Sequence, residues 1–93
     1  MHPSQAETFE WDAANERELA RHRIASREVT DLFESRPVWL RNKRHASGNW
    51  RMVGRTAGGR VLTVIVLYRP ETRTLRPITG WDATRGERSY LRR

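Results

Sequence analysis

The chain has no cysteine, which excludes a disulfide framework and any thiolate metal site. No apolar run approaches the roughly 20 residues of a membrane span. The opening Met1-His2-Pro3-Ser4-Gln5 lacks the basic start and apolar middle of a signal peptide. A soluble, cytoplasmic protein with no membrane contact is the expectation. His2 and His22 have no partners at metal-ligand spacing, so no metal is expected, and no cofactor is expected either. No helix-turn-helix or basic-zipper pattern is present, which argues against a small basic DNA-binding protein. There is no internal repeat and no low-complexity segment.

Acidic residues are scarce in one half only. Residues 1–35 carry eight acids against four arginines, net −4, and residues 36–93 carry three acids against fourteen Lys or Arg, net +11. That asymmetry suggests a polyanion or an acidic protein as partner. Lysine is nearly absent too: seventeen of the eighteen cations are Arg. Arginine offers a planar, bidentate fork for phosphate where lysine is a point charge. An Arg-favouring codon bias would give the same count, so placement matters more than number.

Ninety-three residues make one domain, 1–93, with residues 1–6 expected to be loose. A chain this size buries only about 60–65% of its unfolded surface, so its core is small. The most apolar stretch, residues 60–69, holds three Val and one Ile and no Gly or Pro. It reads as the central strand, apolar on both faces and therefore in need of cover on both. Phe9-Glu10-Trp11 could be a short strand. Asp12 looks like the N-cap of a helix from Ala13 to His22, anchored by Leu19. Ser26 looks like the N-cap of a second short helix, Arg27 to Ser35, with Val29, Leu32 and Phe33 at helical spacing. Arg36, before Pro37, is expected to be extended.

Val38 to Asn42 reads as a strand and residues 43–48 as a basic loop. Trp50 to Ala57 is a strand, joined through a two-residue Gly58-Gly59 turn to the central one. Leu75 to Gly80 is a further strand, which Pro77 places at an edge or a bulge. Thr84-Arg85-Gly86-Glu87 has capping-box spacing and opens a helix from about Arg85 to Arg92. The expected fold is α+β: two short N-terminal helices, a three- to four-stranded antiparallel sheet and a C-terminal helix.

If Ala57 pairs with Arg60, then Trp50, Met52 and Gly54 oppose Leu67, Ile65 and Thr63 on a core face. Arg51, Val53 and Arg55 then oppose Val66, Val64 and Leu62 on a second face that also carries Tyr68. An apolar surface with embedded arginines is typical of a binding site.

At this point the chain resembles a family. Phe9-Glu10-Trp11-Asp12, then Arg21-His22 on a helix, then Ser26, resemble the N-terminal half of BrnT-type toxins. Val53-Gly54-Arg55-Thr56-Ala57-Gly58-Gly59-Arg60 is similar to that family's central hairpin. Ile78-Thr79, Ala83-Thr84 with Glu87-Arg88, and Tyr90 resemble its last strand and helix. The resemblance implies a RelE-like fold and the toxin of a type II toxin–antitoxin module. Such a toxin is a ribonuclease that stops translation, neutralised in a hetero-oligomer by a BrnA-like, DNA-binding antitoxin. The chain departs from the family at Arg23, where Gly often follows the His, at Gly48-Asn49, where an acidic–Arg pair is common, and at Trp81-Asp82, where a basic pair is common.

Metal-independent RNA cleavage needs a base near the ribose 2′-OH, an acid for the leaving oxygen and cations on the phosphate. Arg51, Arg55 and Arg76 are the phosphate stabilisers proposed from the sequence. Glu87 and Asp82 are candidate bases, with helix capping as the plainer role for each. Lys43, Arg44, His45, Arg85, Arg88 and Trp81 are candidate RNA contacts, and Trp50 and Tyr68 could also stack on bases. A catalytically inactive RNA- or protein-binding module is the alternative reading.

Overall fold

Val61–Arg69 forms the middle strand of the sheet. Six consecutive residues, Val61 to Val66, are buried, as a strand covered on both faces requires. The structure is a computed structural model and describes residues 1–42 and 49–92. In chain order the strands are β1 (Thr8–Phe9), β2 (Val38–Arg41), β3 (Trp50–Arg55), β4 (Val61–Arg69) and β5 (Thr74–Asp82). The helices are α1 (Ala13–Arg21), α2 (Ser26–Glu34) and α3 (Arg85–Ser89), and 3-10 turns lie at Pro3–Gln5 and Tyr90–Arg92.

The strands form one sheet in the order β1-β5-β4-β3-β2. Its last four strands are antiparallel neighbours, and β1 pairs in parallel with β5. The expected three- to four-stranded antiparallel sheet is therefore corrected to a five-stranded mixed one in an α+β fold with three helices. Backbone bonds from Glu7 and Thr8 to the Arg73 carbonyl, and from Glu10 to that of Leu75, hold β1. Two residues are too few to show periodicity, and a pairing 66 residues away has no turn chemistry to announce its direction. The first residues also differ from expectation: Pro3 is buried, and His2 and Gln5 cap the opening 3-10 turn.

Helix α2 begins and ends one residue earlier than expected. The N-cap of α2 is Ala25, whose N–H donates to Glu28 Oε1 at 3.0 Å. Arg36 is left-handed, with φ of 61°, instead of extended.

The β3–β4 hairpin also departs from the expected register. Thr56 and Arg60 close it, with Thr56 N donating to Arg60 O at 2.8 Å and Gly59 N to Thr56 O at 2.9 Å. The loop is thus three residues, Ala57-Gly58-Gly59. Gly59 at φ 91° supplies the left-handed residue that such a loop needs. Arg51 therefore opposes Ile65, Val53 opposes Thr63 and Arg55 opposes Val61. A one-residue slip exchanges the faces of a whole strand. Leu62, Val64, Val66 and Tyr68 consequently join Met52 and Leu75 in one core cluster with Leu19, Ile24, Val29 and Leu32 of the α1–α2 layer. Gly80 permits that contact: a Cβ there would lie 2.8 Å from the Thr63 carbonyl oxygen and 3.2 Å from Ile24 Cδ1.

The opposite face buries Val53, Val61, Thr63 and Ile65, and α3 lies over it. Pro77 is tolerated in β5 because β1 has ended there, and the ladder to β4 is broken between Ile65 and Val66. Its carbonyl is taken by Asn15 Nδ2 at 2.9 Å. No helix among the described residues is long and apolar enough to cross a membrane.

Candidate nucleic-acid interface

Helix α3 is only five residues long, too short to persist on its own. One carboxylate fixes it. Thr84 Oγ1 accepts from Glu87 N at 3.1 Å, and Glu87 Oε1 accepts from Thr84 N at 2.9 Å, which closes the capping box. The same oxygen accepts from Thr63 Oγ1 at 2.7 Å and Trp81 Nε1 at 3.1 Å, while Oε2 accepts from Arg51 Nη1 at 3.0 Å. Burial pushes this carboxyl's pKa up, but the donors from Thr84, Thr63, Trp81 and Arg51 outweigh it and hold it below the ordinary value. Glu87 is therefore an anion with its bonding sites occupied. That describes an anchor and not a base waiting for a proton.

The arginines divide into two groups. Arg76 Nη1 reaches Glu10 Oε2 at 3.1 Å and Asp12 Oδ2 at 2.9 Å. The Arg76 hydrogen bond is the main reason that the Asp12 carboxyl is held below its usual range, helped by the Asn15 N–H. Beside it Arg69 pairs with Glu10, and Arg73 with Glu7 at 2.8 Å. Arg76 is thereby spent on closing the β1–β5 edge and is not gathered with Arg51. In contrast, Arg85, Arg88 and Arg92 make no ion pair among the described residues, and with Ser89 they line one open groove of about 480 Å³. They recur at i, i+3 and i+7, so a short helix and its closing turn present them together. Arg51 is linked to this helix through Glu87 and keeps a third of its side chain exposed.

Arg55 is exposed beside the hairpin turn, with one long contact of 3.4 Å from Nη1 to the Gly59 carbonyl. It shares a shallow groove with Asp31, Glu34, Ser35, Thr56 and Ala57. Asp31 and Glu34 are carboxylates that sequence reasoning passed over. Their position at the end of α2 brings them to the hairpin only through the packing of Gly54 against Leu32 and Ser35.

Asp82 belongs to a different cluster. Its Oδ1 accepts from Arg60 Nε at 3.0 Å. Arg60 Nη1 also donates to the Arg23 carbonyl at 2.6 Å and to Glu28 Oε1 at 3.1 Å, and Nη2 to the His22 carbonyl at 3.4 Å. Burial alone would lower the Arg60 pKa, but Asp82 and Glu28 raise it on balance. Arg60 thus closes the C-terminal end of α1, where Arg23 takes the left-handed conformation at φ 60°. The sequence offered no signal for this role, because the partners lie 22 to 38 positions away.

Of the aromatic candidates, Tyr68 is core and Trp81 is half-buried with its N–H on Glu87. Trp50 is half-buried, with the Arg41 guanidinium 4.5 Å over its ring. Lys43, Arg44 and His45 lie outside the described residues. Among the described residues no group of three His, Asp or Glu could hold a metal ion. No protein-family model matches the chain, and no curated protein matches it.

Proposed function

We propose that this chain is the toxin component of a BrnT-type toxin–antitoxin module, acting on RNA in the cytoplasm and neutralised by an antitoxin that binds DNA. The observation that supports this reading is the unpaired guanidinium set of Arg85, Arg88 and Arg92 around one groove. Fully solvated guanidinium groups at helical spacing suit successive phosphates of a single strand. The partner class follows from charge: the free cations belong to the basic segment 36–93.

In this reading Arg55 stabilises the charge that develops on phosphorus when the ribose 2′-oxygen attacks and the 5′-oxygen leaves. Asp31 or Glu34, which line the groove with Arg55, takes the 2′-OH proton, the departing 5′-oxygen takes its proton from solvent water in the open groove, and Arg51 assists in holding the phosphate. The test is single-turnover cleavage of RNA, free and on translating ribosomes, by folded wild type, Arg55→Lys, Asp31→Asn and Glu34→Gln. Arg55→Lys keeps the charge but loses the bidentate fork and is expected to slow cleavage on the order of a hundredfold. Equal rates for wild type and Arg55→Lys remove that role. Growth arrest on expression, relieved by the product of an adjacent gene, tests the toxin assignment.

A second reading has its own support: Glu87 is saturated with donors, Arg76 is paired twice and Asp82 is held by Arg60. A non-cleaving RNA- or protein-binding module fits that set. RNA binding without cleavage in every format selects it.

A further inference from the structure

The half-buried aromatic residues at the free β2 edge are not used in the reading above. Trp39 of β2 and Trp50 of β3 meet edge to face, with centroids 6.4 Å apart and planes at 87°. Phe33 of α2 lies against Trp39 at 6.2 Å, also edge to face. His2 lies 5.9 Å from the Trp39 ring and 5.2 Å from that of Trp50. His2, Ser4, Phe33, Arg36, Pro37 and Trp39 line a groove of about 350 Å³. None of these six is acidic. Arg36 and Arg41 are exposed and make no ion pair among the described residues.

We propose that this groove is a nucleobase-stacking subsite for single-stranded RNA, with the base against Trp39 and the flanking phosphates on Arg36 and Arg41. Three observations favour this occupant. The volume is at the low end for ligand sites, suited to one planar ring system and not to an extended side-chain array. The lining includes the half-buried rings of Phe33 and Trp39, and every nucleobase has a π-face to offer an aromatic ring. Arg36, which lines the groove, and Arg41, on β2 with its guanidinium 4.5 Å over the Trp50 ring, complement a phosphodiester, and the outer face of a stacked guanidinium can accept a base. The inference rests on the RNA-directed reading of the chain. It adds a site on the α1–α2 side of the sheet, separate from α3.

The test is the affinity of the full chain for a labelled ten-nucleotide RNA, and for the same strand with its central bases replaced by abasic sites. Fluorescence anisotropy is measured across a salt series. Variants are wild type, Trp39→Ala, Trp39→Phe, Arg36→Ala and Arg85→Ala/Arg88→Ala/Arg92→Ala, each checked by circular dichroism and thermal melting. Wild type is expected to prefer the base-bearing strand. Trp39→Ala is expected to weaken that strand about five- to hundredfold and to leave the abasic strand and the salt slope unchanged, and Trp39→Phe is expected to restore most of the loss. Arg36→Ala, which removes no ring and no buried contact, is expected to lower the slope of log affinity against log salt by about 1. It keeps the proposal testable should Trp39→Ala not fold. Wild-type binding that ignores base removal, or that is lost in the α3 triple variant yet untouched by the Trp39 and Arg36 changes, overturns this subsite and leaves the RNA reading standing. No RNA binding by wild type overturns both.

Discussion

The β1–β5 edge and the C-terminal segment of helix α3 and its closing 3-10 turn each carry three arginines, and they use them in opposite ways. At the edge, Arg69, Arg73 and Arg76 are all paired with carboxylates of the N-terminal segment, Glu7, Glu10 and Asp12. Those pairs join residues 59 to 66 positions apart, where β1 contributes only two residues of ladder. On α3 and its closing 3-10 turn, Arg85, Arg88 and Arg92 line an open groove with no carboxylate among its described lining residues, and the helix is held from below by Glu87. A high arginine count is therefore compatible with either staple or bait. The difference lies in whether the fold brings an acid alongside. Like charges held close without counter-charge are retained at a small cost in stability, which a polyanion would relieve on binding.

The largest effect should come from cutting α3 loose. Glu87→Ala leaves the buried Thr63 hydroxyl, the half-buried Trp81 N–H and the partly exposed Arg51 guanidinium without their acceptor. A loss of about 3 kcal/mol is expected in urea unfolding, together with loss of RNA affinity as the arginine triplet loses its frame. Retained stability would mean that α3 is held by something other than this carboxylate.

Next in size is the triple change Arg85→Ala/Arg88→Ala/Arg92→Ala. RNA affinity near 0.1 M salt should fall on the order of a hundredfold, and the salt slope should drop by about 2. Stability should shift by no more than ~0.5 kcal/mol, because these side chains hold nothing. An unchanged salt slope would place the phosphate contacts elsewhere.

Arg76→Ala should show the mirror image at smaller size: about 1 kcal/mol of stability lost, as for partly exposed ion pairs, and no change in RNA affinity. An affinity loss equal to that of the α3 variant would erase the distinction between the two regions.

The smallest effect is in acid. Thr79 is the leading cause that holds the Glu18 carboxyl below its ordinary value, and Asp12 and Glu87 are held below theirs as well. A depressed folded-state pKa contributes stability that is present above the unfolded value and lost as pH falls through the folded one. Stability should hold from neutrality to about pH 4.5 and decline below it. Glu87→Gln should decline less steeply on acidification than wild type, and an identical slope would show that Glu87 does not take up a proton on unfolding.

Much of the local structure was legible. Asp12 and Thr84 cap the helices that their spacing implied, because a cap needs only its own next three residues. The glycine pair marked the hairpin, but not its loop length. Ala57 joined the loop when Thr56 took the closing pair, and every face assignment on β3 against β4 changed with it. For the candidate site, the sequence reading named Arg85 and Arg88, and the structure places both on α3 beside one open groove. Arg76 looked equivalent from the sequence, since nothing near it announces Glu10 and Asp12. Asp31 and Glu34 were passed over because the amphipathic pattern of their helix drew attention to Val29, Leu32 and Phe33, and nothing near them in sequence announces the hairpin.

What the sequence by itself determined was the set of elements and their caps: β4 as a doubly buried strand, α1 from Asp12, α3 from the Thr84–Glu87 box. These depend on propensity and on hydrogen bonds within a few residues. Only the tertiary structure decided the parallel β1, the hairpin register, the Arg60 cluster and the sorting of arginines into paired and free. Each depends on which groups meet across tens of residues, and the energy of a charge is set by the neighbour it finds there and not by its own identity.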